Sequence, residues 1–261
     1  MKYFKKSLGQ NFLVDLNIIE KIVKLVEIKN KNIIEIGPGK GALTSEILKR
    51  KPKSLMIIEK DYNLFKHLKE KYSKKKFLKI YNNDILNFDL EKVAKKNSIV
   101  FGNLPYNISS QILVKILRFQ KRPPRINDVI FMFQKELGEK ILGKFLSSNY
   151  GRLSILTNLK FYIKKKFLVS ANSFFPKPKV TSMVIHFQPK KNINYKINSI
   201  ENLEKITNIL FSNKRKMINK NIKKILSSES INKIENLKIN SRPAELKPEI
   251  YYRITELFEE K

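Results

Sequence analysis

One stretch constrains this chain more than any other: Ile33-Ile34-Glu35-Ile36-Gly37-Pro38-Gly39-Lys40-Gly41-Ala42-Leu43-Thr44. It reads as a β-run that breaks at glycines straight into an apolar-periodic helix, as strands of a parallel, helix-covered sheet do. The rhythm repeats along the chain. Asn32–Ile36, Leu55–Glu59, Phe77–Tyr81, Ser98–Gly102 and Val129–Phe133 read as strands. Ala42–Leu48, Tyr62–Tyr72, Ile108–Phe119 and Glu136–Phe145 have helical apolar spacing. The expected fold class is therefore α/β, a Rossmann-like, mostly parallel sheet with helices on both faces. Phe161–Val169 and Val180–Phe187, joined by a proline-containing loop, are expected as an antiparallel pair at one sheet edge. Gln188–Asn194 interrupts the pattern, and beyond it Leu203–Phe211, Met217–Leu226 and Ile250–Phe258 read as helices. This divides the chain into an α/β domain, 1–188, and a small all-α domain, 189–261.

Charge narrows the partners. The formal net charge is +31, and the last 73 residues carry only +7 of it. The excess belongs to the body of the chain and draws it toward polyanions. Only eight of the basic residues are Arg, a pattern that biased codon usage also produces. With no cysteine, disulfides, thiolate nucleophiles and cysteine metal sites are excluded. The two histidines, His67 and His186, are far apart, so no metal site is expected. Met1–Gln10 is basic with no apolar run behind it, and no transmembrane run occurs. A cytoplasmic monomer is the expectation.

The glycine turn offers a ligand close approach to the main chain, and the helix start adds amide donors. Glu59 ends the next strand 22 residues after Gly37, where a carboxylate commonly holds the ribose of a nucleoside cofactor. The spacing G-x-G-x-G leaves a purely structural turn and NAD as other readings. Glu35, two residues before the first glycine, suits a cofactor with ammonium and sulfonium charges better than one with a pyrophosphate. Asp84, after the third strand, is either an acceptor for an exocyclic adenine amine or a turn residue.

The segment Phe101-Gly102-Asn103-Leu104-Pro105-Tyr106-Asn107-Ile108-Ser109 follows the fourth strand. The N6 amine of adenine is a poor nucleophile because its lone pair is delocalised. An acceptor on each N–H favours a tetrahedral nitrogen. The Asn103 amide oxygen and the Leu104 carbonyl, held by the fixed φ of Pro105, are candidates. Tyr106 is placed to stack on an extruded base. Such catalysis needs positioning and aligned dipoles rather than a strong base.

These residues resemble the KsgA-type small-subunit rRNA adenine dimethyltransferase family. The likeness extends through Lys6-Ser7-Leu8-Gly9-Gln10-Asn11-Phe12-Leu13, Ile58-Glu59-Lys60-Asp61, Asn83-Asp84-Ile85-Leu86 and Phe174-Phe175-Pro176-Lys177-Pro178-Lys179-Val180-Thr181-Ser182. Late echoes are Phe211-Ser212-Asn213-Lys214-Arg215-Lys216 and Arg242-Pro243-Ala244-Glu245-Leu246. The resemblance implies a class I methyltransferase fold and S-adenosylmethionine as cofactor, with S-adenosylhomocysteine as product and no metal. It implies that Asn11, Leu13 and Gly37 hold the methionine end, Glu59 the ribose and Asp84 the cofactor adenine, with Gly39 and Asn103 also binding the cofactor. Asn103, Leu104, Pro105 and Tyr106 would present the target amine, and Phe174 would stack on the base's other face. The implied substrate is a pair of adjacent adenosines in the 3′-terminal hairpin of small-subunit rRNA, within an assembling subunit, and the helical domain would bind rRNA. Two other readings remain: an Erm-like enzyme acting on large-subunit rRNA, and a non-catalytic assembly or RNA-binding factor.

Overall fold

The apolar runs do become strands, and the central ones are buried beneath helices. The computed structural model describes residues 11–119 and 125–260. In chain order the elements are β1 (Phe12–Leu13), α1 (Leu16–Val23), β2 (Asn32–Ile36), α2 (Ala42–Lys49), β3 (Ser54–Glu59), α3 (Tyr62–Lys71), β4 (Leu78–Asn82), α4 (Leu90–Val93), β5 (Ser98–Asn103), α5 (Ser109–Leu117), β6 (Ile126–Gln134), α6 (Lys135–Ile141), α7 (Arg152–Lys160), β7 (Phe161–Val169), β8 (Phe174–Phe175) and β9 (Ser182–Pro189). Four α-helices follow: α8 (Ile200–Leu210), α9 (Asn219–Ile222), α10 (Ser228–Asn232) and α11 (Pro248–Glu259).

Seven strands form one sheet in the order β4-β3-β2-β5-β6-β9-β7. The pairs β4–β3, β3–β2, β2–β5 and β5–β6 are parallel, and β9 runs antiparallel to β6. β2 and β5 are buried along nearly their whole length, as central strands covered on both faces must be. One face presents Ile33, Leu55, Ile57 and Phe101 to Ile19, Ile22, Val23 and Ile47 of α1 and α2. The strand order reverses between β2 and β5, which opens a crevice at their carboxyl ends.

β1 lies outside that sheet and pairs antiparallel with β8. Asp15 fixes the arrangement. Its carboxylate caps α1 through the amides of Asn17 (3.0 Å) and Ile18 (3.2 Å) and accepts from Ser173 Oγ at 3.0 Å. A cap of this kind stabilises by about 1 kcal/mol.

Contacts divide the chain into two units: one runs through Gly138 and includes Tyr162–Pro189, and the other comprises Glu139–Phe161 and Lys190–Lys261. One division falls between Pro189 and Lys190. Residues 139–161, placed by sequence in the α/β part, cluster instead with the second unit. The cause is α7, whose Ser154–Thr157 turn is buried and whose Ile155 carbonyl accepts from Tyr252 Oη of α11 at 2.9 Å. Within the same unit Tyr251 stacks on Phe211 (5.6 Å between ring centroids) and donates to the Pro243 carbonyl at 2.6 Å. One tyrosine thus joins the Phe211–Lys216 and Arg242–Leu246 segments, and Ile218 N donates to Ser241 O between them at 3.0 Å. Among the described residues no helix is long and apolar enough to cross a membrane.

Candidate active site

A cavity of about 390 Å³ occupies the crevice between the ends of β2, β3 and β5. Asn11, Leu13, Gly37, Gly39, Glu59, Asn103, Leu104, Pro105 and Tyr106, all named from sequence, line it together. The Lys6–Gln10 part of the first motif lies outside the described residues.

The glycine turn is shaped by contact as well as by φ. Gly37, Gly39 and Gly41 have φ of +65°, +58° and +82°, which side-chain-bearing residues adopt at a cost. A Cβ on Gly39 would stand 2.9 Å from the Phe12 ring. Lys40 Nζ covers the same ring at 4.9 Å from its centroid. Phe12 is thus the lining residue that closes β1 onto the turn.

Two carboxylates stand in this apolar frame. Glu59 accepts from Asp61 N at 2.8 Å and from Gly39 N at 3.3 Å. Burial pushes its carboxyl up to about 7 against those bonds. Glu35 accepts a 2.6 Å bond from Thr44 Oγ1, while its other oxygen, Oε1, is buried with no hydrogen-bond partner among the described residues. Burial, with the Glu59 charge adding to it, likewise pushes Glu35 up to about 7. A buried carboxylate oxygen without a donor is costly unless a ligand supplies one. The pair, lining one cavity, fits a ligand that carries ammonium and hydroxyl donors. S-adenosylmethionine is such a ligand.

At the end of β5, Asn103 Nδ2 donates to the Asn11 carbonyl at 3.2 Å. That bond orients the amide and leaves Oδ1 as the free acceptor. The Pro105 carbonyl is taken by Ile108 N and the Tyr106 carbonyl by Ser109 Oγ. The Leu104 carbonyl accepts no such bond among the described residues. Tyr106 Oη is 2.7 Å from Ser182 Oγ, which ties the ring to the start of β9. Sequence reading missed Ser182 as a partner, since nothing local connects positions 76 residues apart.

Two expected residues stand elsewhere. Phe174 is 4% exposed and lies in the core with Leu13, its partner across the β1–β8 pair. Strand alternation turns Phe174 inward and leaves the neighbouring Phe175 ring 49% exposed. Asp84 does not line the cavity. Its carboxylate is held by Lys60 Nζ at 2.7 Å and Leu86 N at 2.9 Å. Burial pulls this carboxyl up, but those bonds prevail and keep it below its ordinary value. Lys60, next to Glu59, is a second partner to which sequence reading gave no role.

Comparison with known proteins shows the family. The family model described as "Ribosomal RNA adenine dimethylase" matches residues 1–260. The "Ribosomal RNA small subunit methyltransferase A" of Pelagibacter ubique is 42% identical over 257 residues, covering 98% of this chain and 97% of that protein. Among solved structures, a dimethyladenosine transferase from Plasmodium falciparum superposes with TM-score 0.73 at 26% identity, over 93% of this chain and 95% of that one. The 23S rRNA methyltransferase ErmE shares the fold, with TM-score 0.66 at 24% identity over 95% of this chain and all of that one.

Proposed function

The chain belongs to the ribosomal RNA adenine dimethylase family of S-adenosylmethionine-dependent methyltransferases, and on that footing we propose that it methylates the N6 amines of two adjacent adenosines in the 3′-terminal hairpin of small-subunit rRNA. The observation that carries the reading is the end of β5: an amide oriented by Asn11, beside a main-chain carbonyl, with neither its Oδ1 nor that carbonyl accepting a bond among the described residues. Two acceptors on adjacent residues suit an amine with two N–H bonds. They favour the pyramidal nitrogen whose lone pair is available for attack.

When bound, S-adenosylmethionine supplies an electrophilic methyl carbon on a sulfonium. Glu59 takes ribose hydroxyls, Glu35 answers the positive charge, and Asn11, Leu13, Gly37 and Gly39 close round the methionine end. Tyr106 stacks on the extruded base. Asn103 Oδ1 and the Leu104 carbonyl orient its amine, and the proton lost after methylation passes to solvent. In the second unit the exposed Lys214, Arg215, Lys216 and Arg242, joined through Tyr251, supply the phosphate contacts that position an rRNA helix.

The substrate is tested by incubating the enzyme with labelled cofactor and separately purified small and large subunits that lack the modification. Dimethyladenosine in small-subunit rRNA is expected. Label confined to the large subunit would overturn the assignment and favour the Erm-like reading.

Ser182 is expected to act through Tyr106. Ser182→Ala strands a half-buried phenol without its partner, and loss of one such bond corresponds to about 0.5–1.5 kcal/mol, a drop in kcat of roughly 2–13-fold. Cofactor affinity should be unchanged. Adding Tyr106→Phe to Ser182→Ala removes the stranded hydroxyl and should recover part of the loss. A double variant slower than Ser182→Ala alone contradicts this role.

A further inference from the structure

A second recess opens away from the active-site crevice and shares no lining residue with it. Its volume is about 450 Å³. Its floor is the other face of the sheet, across β2, β3 and β4, where Ile34, Met56 and Lys79 stand side by side in register. Exposure rises along that row: Ile34 is buried, Met56 half-buried and Lys79 exposed. Parallel strands are normally covered on both faces. Right-handed crossovers place α2 and α3 on one face and send the β4-to-β5 connection across the other. That connection holds only α4, one turn long, so the β3–β4 part of the second face stays open.

The opening has a consistent chemistry. Lys53, Lys76, Lys79 and Lys95 line it, no carboxylate does, and none of the four forms an ion pair among the described residues. Aromatic surface lies between them. Phe77 is 38% exposed, and the half-buried Tyr81 ring is held against Phe88 at 5.2 Å. Cations round an apolar and aromatic floor match a polynucleotide strand, with phosphates at the rim and a base on the floor. An acidic peptide would match the lysines and leave the aromatic floor without a role.

We propose that this recess is a second RNA-binding site, which takes a single-stranded segment of the substrate RNA outside the catalytic crevice. It rests on the reading that the chain's substrate is RNA, and its test uses binding rather than methyl transfer, so the two fail separately. A fluorescein-labelled oligouridylate is titrated with the full chain at several salt concentrations. Replacing all four recess lysines by alanine should weaken binding and flatten the slope of log K against log salt by about 3, at roughly 0.7 for each phosphate neutralised on a single strand. A matched variant lacking the exposed Lys29, Lys51, Lys66 and Lys69, likewise without an ion pair among the described residues and outside the recess, should change the slope by less than 1. Affinity for S-adenosylmethionine should be unchanged in both. Equal flattening by the two variants would mean only diffuse charge and would overturn the proposal. With wild-type protein, photo-crosslinking to 4-thiouridine-substituted RNA should mark Phe77 or Tyr81, and crosslinks confined to other peptides would also overturn it. Unaltered oligouridylate binding with weakened binding to small subunits would assign the recess to a protein partner instead.

Discussion

Asn103→Ala is expected to lower kcat for methyl transfer by about 100–1,000-fold, the loss typical of removing one preorganised dipole from a reacting centre. The side chain has two functions that the variant separates. Its Nδ2 donates to the Asn11 carbonyl and so steadies the β1 segment over the cavity. Its Oδ1 is the acceptor left for the target amine. The first function is a single neutral hydrogen bond, worth about 0.5–1.5 kcal/mol, so cofactor affinity should fall by no more than roughly tenfold. The second acts on the chemical step, and the larger loss belongs to kcat. Asn103→Asp retains an acceptor but has no donor for Asn11 and sets an anion against a carbonyl oxygen. It should therefore also fail to restore turnover. Single-turnover methylation measured beside calorimetric cofactor binding checks both parts. Turnover within threefold of wild type would remove Asn103 from the transition state.

What was legible in the sequence follows from how far each signal reaches. Strands β2, β3 and β5 announce themselves as short apolar runs, and the glycine turn and the Asn103–Tyr106 segment are contiguous, so the cavity's main walls were readable. α1 was passed over although Asp15 and the spacing of Ile19, Ile22 and Val23 mark it. α7 buries Ser154 and Thr157 beside Ile155, Leu156 and Leu159, so its buried side carries no apolar stripe for periodicity to register. Its membership in the second unit depends on Tyr252, almost a hundred residues away. Phe174 shows the complementary limit. A two-residue strand has no pattern that says which of two adjacent phenylalanines faces inward, and only its pairing with β1 decides it. Lys60 and Ser182 were invisible for the same reason: their partners, Asp84 and Tyr106, come from other strands' ends.

The second large effect is on pH dependence. Glu35 and Glu59 are both pushed up to about 7 by burial, from the 4.5 of a solvated glutamate. In the free protein between those values the folded state binds more protons than the unfolded one. Stability is therefore fully retained below about pH 4.5 and is lost as pH rises through 7. Each carboxyl forced to ionise while buried costs on the order of 3 kcal/mol, so the free enzyme's Tm should fall by roughly 5–10 °C between pH about 5.5 and 8. A net charge of +31 makes the trend diagnostic, because self-repulsion in so basic a chain does not grow as pH rises. Glu59→Gln and Glu35→Gln should each remove part of the decline, being neutral throughout. Ligand donors that satisfy Glu59 and Oε1 of Glu35 favour the ionised forms, so cofactor binding should expel protons below about pH 7 and tighten as pH rises toward 7 by up to tenfold per pH unit for each proton released, levelling off above it. Calorimetry in two buffers of different ionisation enthalpy reads that release directly. A binding enthalpy independent of buffer, with a Tm that climbs from pH 5.5 to 8, would mean that both carboxylates are already ionised in the empty cavity and that the cofactor meets two fixed negative charges.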